Sequence, residues 1–242
     1  MIEIVKATRD ELQTIHDMAQ VVFRHTYRDI LSPEQMEYMM DMMYSLPNLR
    51  AQLDEGHHYY IAYMSPDQES STHQESSTHQ EDTAPHEDGA PCRCNDVASS
   101  DDSASAVCNA RASVLPVPCG YVSVQHEGPD QDGTEIFHLH KIYVMPEAQG
   151  RGVGLRLFQT VVQHVKSVLQ ARSAGDGASA IINPELATAQ SATAKARIEL
   201  NVNKFNSAVN FYKHLGMRIL LEEDFPIGNG FYKTDYIMGL DV

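Results

Sequence analysis

The chain has 242 residues, 42% of them hydrophobic, which is enough for one good-sized domain or two small ones. Thirty-three acidic residues against 18 Lys and Arg give a formal charge of −15 at pH 7, which argues against a nucleic-acid binder that works by neutralising phosphates. No apolar run approaches the ~20 residues a bilayer demands, and the N-terminal MIEIVKATRDELQ lacks a basic stretch followed by an apolar one. A soluble, cytoplasmic protein with no nucleic-acid or membrane partner is therefore expected.

In chain order, IEIVKA reads as a first strand, and Thr8 with Glu11 offers a capping box for a helix whose apolar face runs Leu12, Ile15, Ala19 and Val22. A second helix is predicted at SPEQ, with Ser32 as N-cap, Pro33 at the first helical position and Gln35 at the third. HHYYIAYM (57–64) and CGYVSVQHE (119–127) read as strands on either side of a segment, 65–118, of different composition. That segment has no aromatic residue, ten acidic and two basic residues, and a tandem ESSTHQ; it reads as a disordered acidic insertion, and it carries about half of the charge excess.

GTEIFHLHKIYVM (133–145) is a longer strand, followed by EAQGRGVGLRLF and a helix expected to bury Leu155, Phe158, Val162, Val165 and Leu169. An Ala-, Ser-, Gly- and Thr-rich stretch without a clear period, 172–195, reads as a second low-complexity insertion. RIELNVN is a strand, NSAVNFYKHLG a helix ended by Gly216, and MRILL and FYKTDYIMGL are the last strands. Strands outnumber helices and mostly follow one another, so the fold class is α+β: a mixed, largely antiparallel sheet with helices packed on it.

Gly150, Gly152 and Gly154 crowd a strand-to-helix connection, where a backbone must turn tightly or approach something closely, and a helix N-terminus favours an anion. The spacing is neither G-x-G-x-x-G, since position 155 is Leu, nor a P-loop, since no G-K-[ST] follows. It is Q-x-x-G-x-G: Gln149, Gly152, Gly154. Between strand and amphipathic helix, this resembles motif A of the GNAT N-acetyltransferases, and LNVNKFNSAVNFYKHLGM resembles their motif B.

That resemblance covers the chain apart from the two insertions and implies a single GNAT domain over residues 1–242. It implies acetyl-CoA as co-substrate, with the pyrophosphate on the loop amides of Gln149, Gly150, Arg151, Gly152, Val153 and Gly154. The long strand and RIELNVN are then expected to splay apart, with pantetheine along Ile142, Tyr143 and Val144, Asn206 touching its arm, and an N–H near Val144 polarising the thioester. In the family pattern Tyr212 stands where the general acid does.

Acetylation of an amine requires its neutral form, and hence a base. His138 and His140 share a strand face by period-two alternation, and the H-L-H pair is similar to the strand histidines of arylalkylamine N-acetyltransferases. His138 is the first candidate base, with His140 and Glu127 as rivals. The acceptor, a small amine or a peptide, is expected between RHTYRDILSP and EEDFPIGNGFYKTDY; Glu222, Glu223, Asp224 and Asp235 could attract a cation there, and Tyr27 and Tyr232 could line it. A non-catalytic acyl-CoA-binding module and an acetyltransferase with a protein or hydroxyl acceptor are the alternatives, and a homodimer is allowed. Cys92, Cys94, Cys108 and Cys119 with His73, His79 and His86 lack zinc-ligand spacing, so no metal is expected.

Overall fold

The computed structural model describes residues 1–65, 115–179 and 195–242. Most of the expected acidic insertion, with Cys92, Cys94 and Cys108, and residues 180–194 of the second stretch lie outside the described residues. The elements are β1 (Ile2–Lys6), α1 (Leu12–Tyr27), α2 (Pro33–Tyr44), α3 (Leu46–Asp54), β2 (His58–Met64), β3 (Val117–Pro129), β4 (Glu135–Val144), α4 (Val153–Ser179), β5 (Ala196–Asn203), α5 (Ala208–His214), β6 (Arg218–Gly228) and β7 (Phe231–Asp241).

The helix starts follow their capping residues. Thr8 and Glu11 form the reciprocal box in a short 3₁₀ turn that runs into α1, and the Ser32 hydroxyl accepts from Gln35 N at 3.2 Å ahead of Pro33. α3 has no counterpart among the sequence expectations. It begins after Ser45, carries Pro47 in its first turn, and buries Leu49 completely.

One seven-stranded sheet has the order β1-β2-β3-β4-β5-β7-β6. Every neighbouring pair is antiparallel except β4 and β5. Alternation along the strands supplies two cores. Tyr59, Ile61 and Tyr121 face the cluster built by α1, α2 and α3, while Ala62, Val122, Val124, Phe137, Leu139, Ile198 and Leu200 face the cluster with α4 and α5.

Two local departures from the sequence expectations have clear causes. α4 turns Val153, Leu157, Phe158, Val161 and Val165 into the core, whereas Leu155 is 43% exposed. The expected face was placed too far round at its first turn, because a helix that begins at Val153 brings 153, 157, 161 and 165 into line. The helix runs on to Ser179, into the stretch read as the second low-complexity insertion.

In β4 the register against β3 shifts: Ser123 opposes Lys141 and Val124 opposes Leu139, so His140 is an extra, bulged residue. Leu139 and Ile142 face the α4 side, Tyr143 faces the α1 side, and Lys141 stands over the buried rings of Tyr44 and Tyr59 on that same α1 side. The bulge thus adds a lysine to the face that carries His138 and His140.

The corrected face of α4 has a measurable consequence. Leu157→Ala should lower unfolding free energy by about 2–5 kcal/mol, and Leu155→Ala should change it by no more than ~0.5 kcal/mol. Denaturant titration of the two variants distinguishes this packing from its alternative, in which the order of the two effects is reversed.

Candidate functional site

The parallel pairing of β4 with β5 is short: it runs from Glu135 opposite Ala196 to His138 opposite Glu199 and goes no further. Beyond it, residues 139–144 of β4 remain paired to β3, and residues 200–203 of β5 to β7, so each strand keeps its outer partner and loses its inner one. Two facing strand edges with unpaired N–H and C=O groups form a slot that an extended, amide-bearing ligand can complete.

The glycine loop closes one end of this slot. Gly150 (φ +74°) and Gly152 (φ +80°) take left-handed conformations that side chains disfavour, and a Cβ on either would point into open space. At Gly154 the reason is different: a Cβ there would stand 3.3 Å from Cζ of Phe211, so glycine lets α4 approach α5. The first turn of α4 then presents its unpaired amides and the positive end of its dipole to the slot.

A cavity of about 670 Å³ fills the parting. Ile142, Tyr143, Val144, Gln149, Gly150, Gly152, Val153, Gly154, Asn206 and Tyr212, ten of the residues singled out from sequence, line it. Arg151 is the exception; its guanidinium reaches Met64 Sδ at 3.5 Å. The Gln149 amide donates to the Val144 carbonyl at 3.3 Å, and Asn206 Oδ1 accepts from Ala208 N at 2.9 Å, so that asparagine also shapes the turn into α5. Tyr212 is buried, and that burial pushes its phenol above the ordinary value, which keeps it protonated at neutral pH. His25 and Arg28, at the end of α1, also line the cavity; they belong to RHTYRDILSP, the segment expected to frame the acceptor.

A second cavity, about 410 Å³, lies on the α1–α2 side of the same parting and shares Tyr27, His140, Tyr143 and Asn201 with the first. His138 lines only this second cavity. Three imidazoles pack in a row across it with their planes tilted: His57 and His140 have centroids 4.2 Å apart at 33°, and His140 and His138 4.5 Å apart at 41°. Gln125 fixes the tautomer of the middle ring. Its amide N–H₂ donates to the Glu55 carbonyl at 2.8 Å, so its oxygen must accept from His140 Nε2 at 3.0 Å, which leaves the lone pair on Nδ1.

Electrostatics in this cavity are set by desolvation. Burial, with Lys233 and Lys141 adding like charge, holds His138 down to about 4, and burial with its histidine neighbours holds His140 down to about 2. His57 sits at about 4, and Lys141 is held at about 7 by burial and the charge of Lys233. All three histidines are therefore neutral at pH 7. Glu127 Oε1 stands 3.8 Å from His138 Nδ1 but lines neither cavity.

Of the acidic residues considered for the acceptor, Asp235 alone lines the cavity, buried and with its carboxyl raised by desolvation. Glu222 and Asp224 pair with Lys204 at 2.8 and 3.6 Å, and Tyr232 is exposed, whereas Tyr27 does line both cavities. His57 and Lys141 went unseen. β2–β3 pairing brings the first to the site from 81 residues before His138, and the bulge at His140 brings the second.

The sequence profile described as an acetyltransferase (GNAT) domain matches residues 106–218. Over that stretch the chain carries a GNAT acetyltransferase domain. No curated protein matches it in sequence. Among solved structures, the PaiA N-acetyltransferase of Thermoplasma acidophilum in complex with coenzyme A shares 15% identity at a TM-score of 0.51, covering 100% of this chain and 99% of that one. A GCN5-related N-acetyltransferase from Rhodopseudomonas palustris shares 15% at 0.53, over 99% and 95%, and a GNAT-family acetyltransferase from Staphylococcus aureus 13% at 0.51, over 100% and 99%. At such identities the likeness speaks for the fold, and this chain's own geometry must carry the chemistry. Among the described residues no group of His, Cys, Asp and Glu is arranged to hold a metal ion, and Cys119 is buried with its thiol donating to the Ala62 carbonyl at 3.3 Å.

Buried and half-buried neutral histidines couple the stability of this chain to pH. His57, His138 and His164 fall to about 4 in the fold, below the ordinary ~6.5 of the unfolded chain. The unfolded state therefore takes up more protons as pH drops, and stability present above ~6.5 is lost progressively towards 4. Denaturant midpoints should fall from pH 7 to 4.5, less steeply in His164→Gln; midpoints that stay level would contradict the buried, neutral rings.

Proposed function

We propose that this chain transfers the acetyl group of acetyl-CoA to a primary amine within a ternary complex. The observation that carries the reading is the meeting of two cavities at the point where β4 and β5 part, with Tyr27, His140, Tyr143 and Asn201 common to both. One side suits a long ligand with an anionic end and an amide-bearing arm, and the other a small acceptor. A direct transfer needs the two to touch at one point.

The thioester would supply an activated acetyl carbonyl, and the chain's residues do the rest. Loop amides at Gly150, Gly152 and the first turn of α4 hold the pyrophosphate, where open space beyond each glycine leaves room for it. The free edge of β4 over Ile142, Tyr143 and Val144 pairs with the pantetheine amides, Asn206 contacts the arm, and an N–H near Val144 faces the carbonyl oxygen. His138 takes the proton of the attacking amine. At about 4 it is neutral and free to accept at pH 7, and it is a weak base, so the cavity must also favour the neutral amine. Glu127, 3.8 Å away and half-exposed, offers the proton a route to solvent. Tyr212, protonated and in the cofactor cavity, gives a proton to the departing thiol sulfur.

A chain that only sensed acyl-CoA would share the glycine loop and Asn206 but has no need of a second cavity lined by proton-accepting rings. Mass-spectrometric detection of acetylated product, after incubation with acetyl-CoA and a pooled panel of amines, amino acids and peptides, separates the two. Product is expected. Acetyl-CoA binding without product from any acceptor would favour the sensor.

Three variants assign the roles. Gly152→Glu should abolish acetyl-CoA binding in calorimetry, because the side chain enters the pyrophosphate path with like charge. His138→Ala should lower kcat/KM by about 10²–10⁴ with acetyl-CoA affinity kept. Tyr212→Phe should keep binding and slow turnover; an unchanged rate would leave that tyrosine a packing residue.

A further inference from the structure

The charges inside the second cavity do not balance. Lys141 is 4% exposed, donates to Gln52 Oε1 at 2.8 Å, and lies over the rings of Tyr44 and Tyr59 at 5.7 and 5.6 Å. Among the described residues no carboxylate lies within ion-pair distance of Lys141 or of Lys233. Both lysines line the cavity with Asp235 as the one acidic residue, and the three histidines add hydrogen-bonding capacity without charge. An ammonium that has only an amide oxygen and two ring faces for company is costly to bury, so Lys141 is held at about 7 and gives up its proton readily, and a carboxylate beside it would restore its charge and form an ion pair.

Phe23, Leu31, Met39, Met42 and Met43 give the cavity an apolar flank, beside the amides of Gln52, Asn201 and Asn203 and the rings of Tyr27 and Tyr143. A polycation would bring more positive charge to two lysines. An uncharged amine would leave them unpaired. A molecule with a carboxylate at one end, an amine at the other and a hydrocarbon, thioether or aromatic side chain satisfies each surface, and ~410 Å³ is the scale of a small-molecule site.

We propose that the acceptor is a small amino carboxylate with an apolar side chain, its carboxylate held between Lys141 and Lys233 and its amine directed to the opening shared with the acetyl-CoA side. This rests on reading the second cavity as the acceptor site. Cation–π contact with Tyr44 and Tyr59 holds the lysine head group in place, and thioether side chains of the three methionines adapt to the shape of the acceptor's side chain.

The test uses matched acceptors on the full-length protein: phenylalanine, phenylalaninamide and phenethylamine, with leucine and leucinamide as a second pair. Acetylated product and kcat/KM are measured for each, and binding of each acceptor is measured separately by calorimetry in the presence of CoA. The free acids should be preferred over their amides by at least tenfold in kcat/KM. In Lys141→Gln, and independently in Lys233→Gln should the first fold poorly, KM for the acid should rise at least tenfold with a smaller change in kcat, which collapses the preference.

Amides or phenethylamine used as well as the acids would overturn the proposal while leaving acetyl transfer intact. So would a Lys141→Gln variant that loses kcat equally on every acceptor, since that places the lysine in chemistry or in folding. Tight binding of the acids, weakened in both lysine variants and accompanied by no acetylated product, would uphold the carboxylate site and overturn the transfer reaction instead.

Discussion

The proposed site of this chain depends on the interruption of one ladder of hydrogen bonds. β4 and β5 meet over four residue pairs and then part, each still anchored by its outer neighbour. A sheet cannot leave two inner edges unpaired at no cost, since backbone donors and acceptors without partners are penalised in a dry interior. The parting is tolerated because it opens into cavities on both faces of the sheet, and its free edges are what a ligand with peptide-like amides can satisfy. The rigid outer pairings keep the slot open before the ligand arrives, which lowers the ordering needed on binding.

Around that slot the two faces divide the work by polarity. The α4 side offers fixed dipoles: a helix N-terminus, two glycines in left-handed conformations and the edge of β4. The α1–α2 side offers titratable groups, packed until they are neutral or nearly so. Burial alone accounts for most of this, because removing water penalises the charged form of His138, His140 and Lys141 alike. The bulge at His140 lets the strand present both histidines and the lysine on one face, which strict alternation forbids.

Much of this was legible in the sequence wherever a residue acts through its own backbone. Thr8 and Glu11, Ser32 and Pro33, and the glycines before α4 announce helix starts and a turn by local chemistry, and the structure has them there. The H-L-H pair was legible because period two holds up to His140. It fails one residue later, and nothing local marks the bulge, so Lys141 was invisible. His57 is a partner only through strand pairing, and α3 is a short helix whose single fully buried leucine gives no period to read. Leu155 was misplaced because a helix's core face depends on where its first turn begins. Of the acidic residues of the last hairpin, Glu222 and Asp224 pair with Lys204, and Asp235 lines the second cavity.

The central claim is that the parted edges of β4 and β5 receive acetyl-CoA. Hydrogen–deuterium exchange of backbone amides with and without saturating acetyl-CoA tests it most directly. The account predicts slower exchange at Ile142–Val144 and across 150–155, with the antiparallel β6–β7 hairpin unchanged. Saturation with the ligand and no added protection at those amides, or protection confined to another part of the chain, would contradict it.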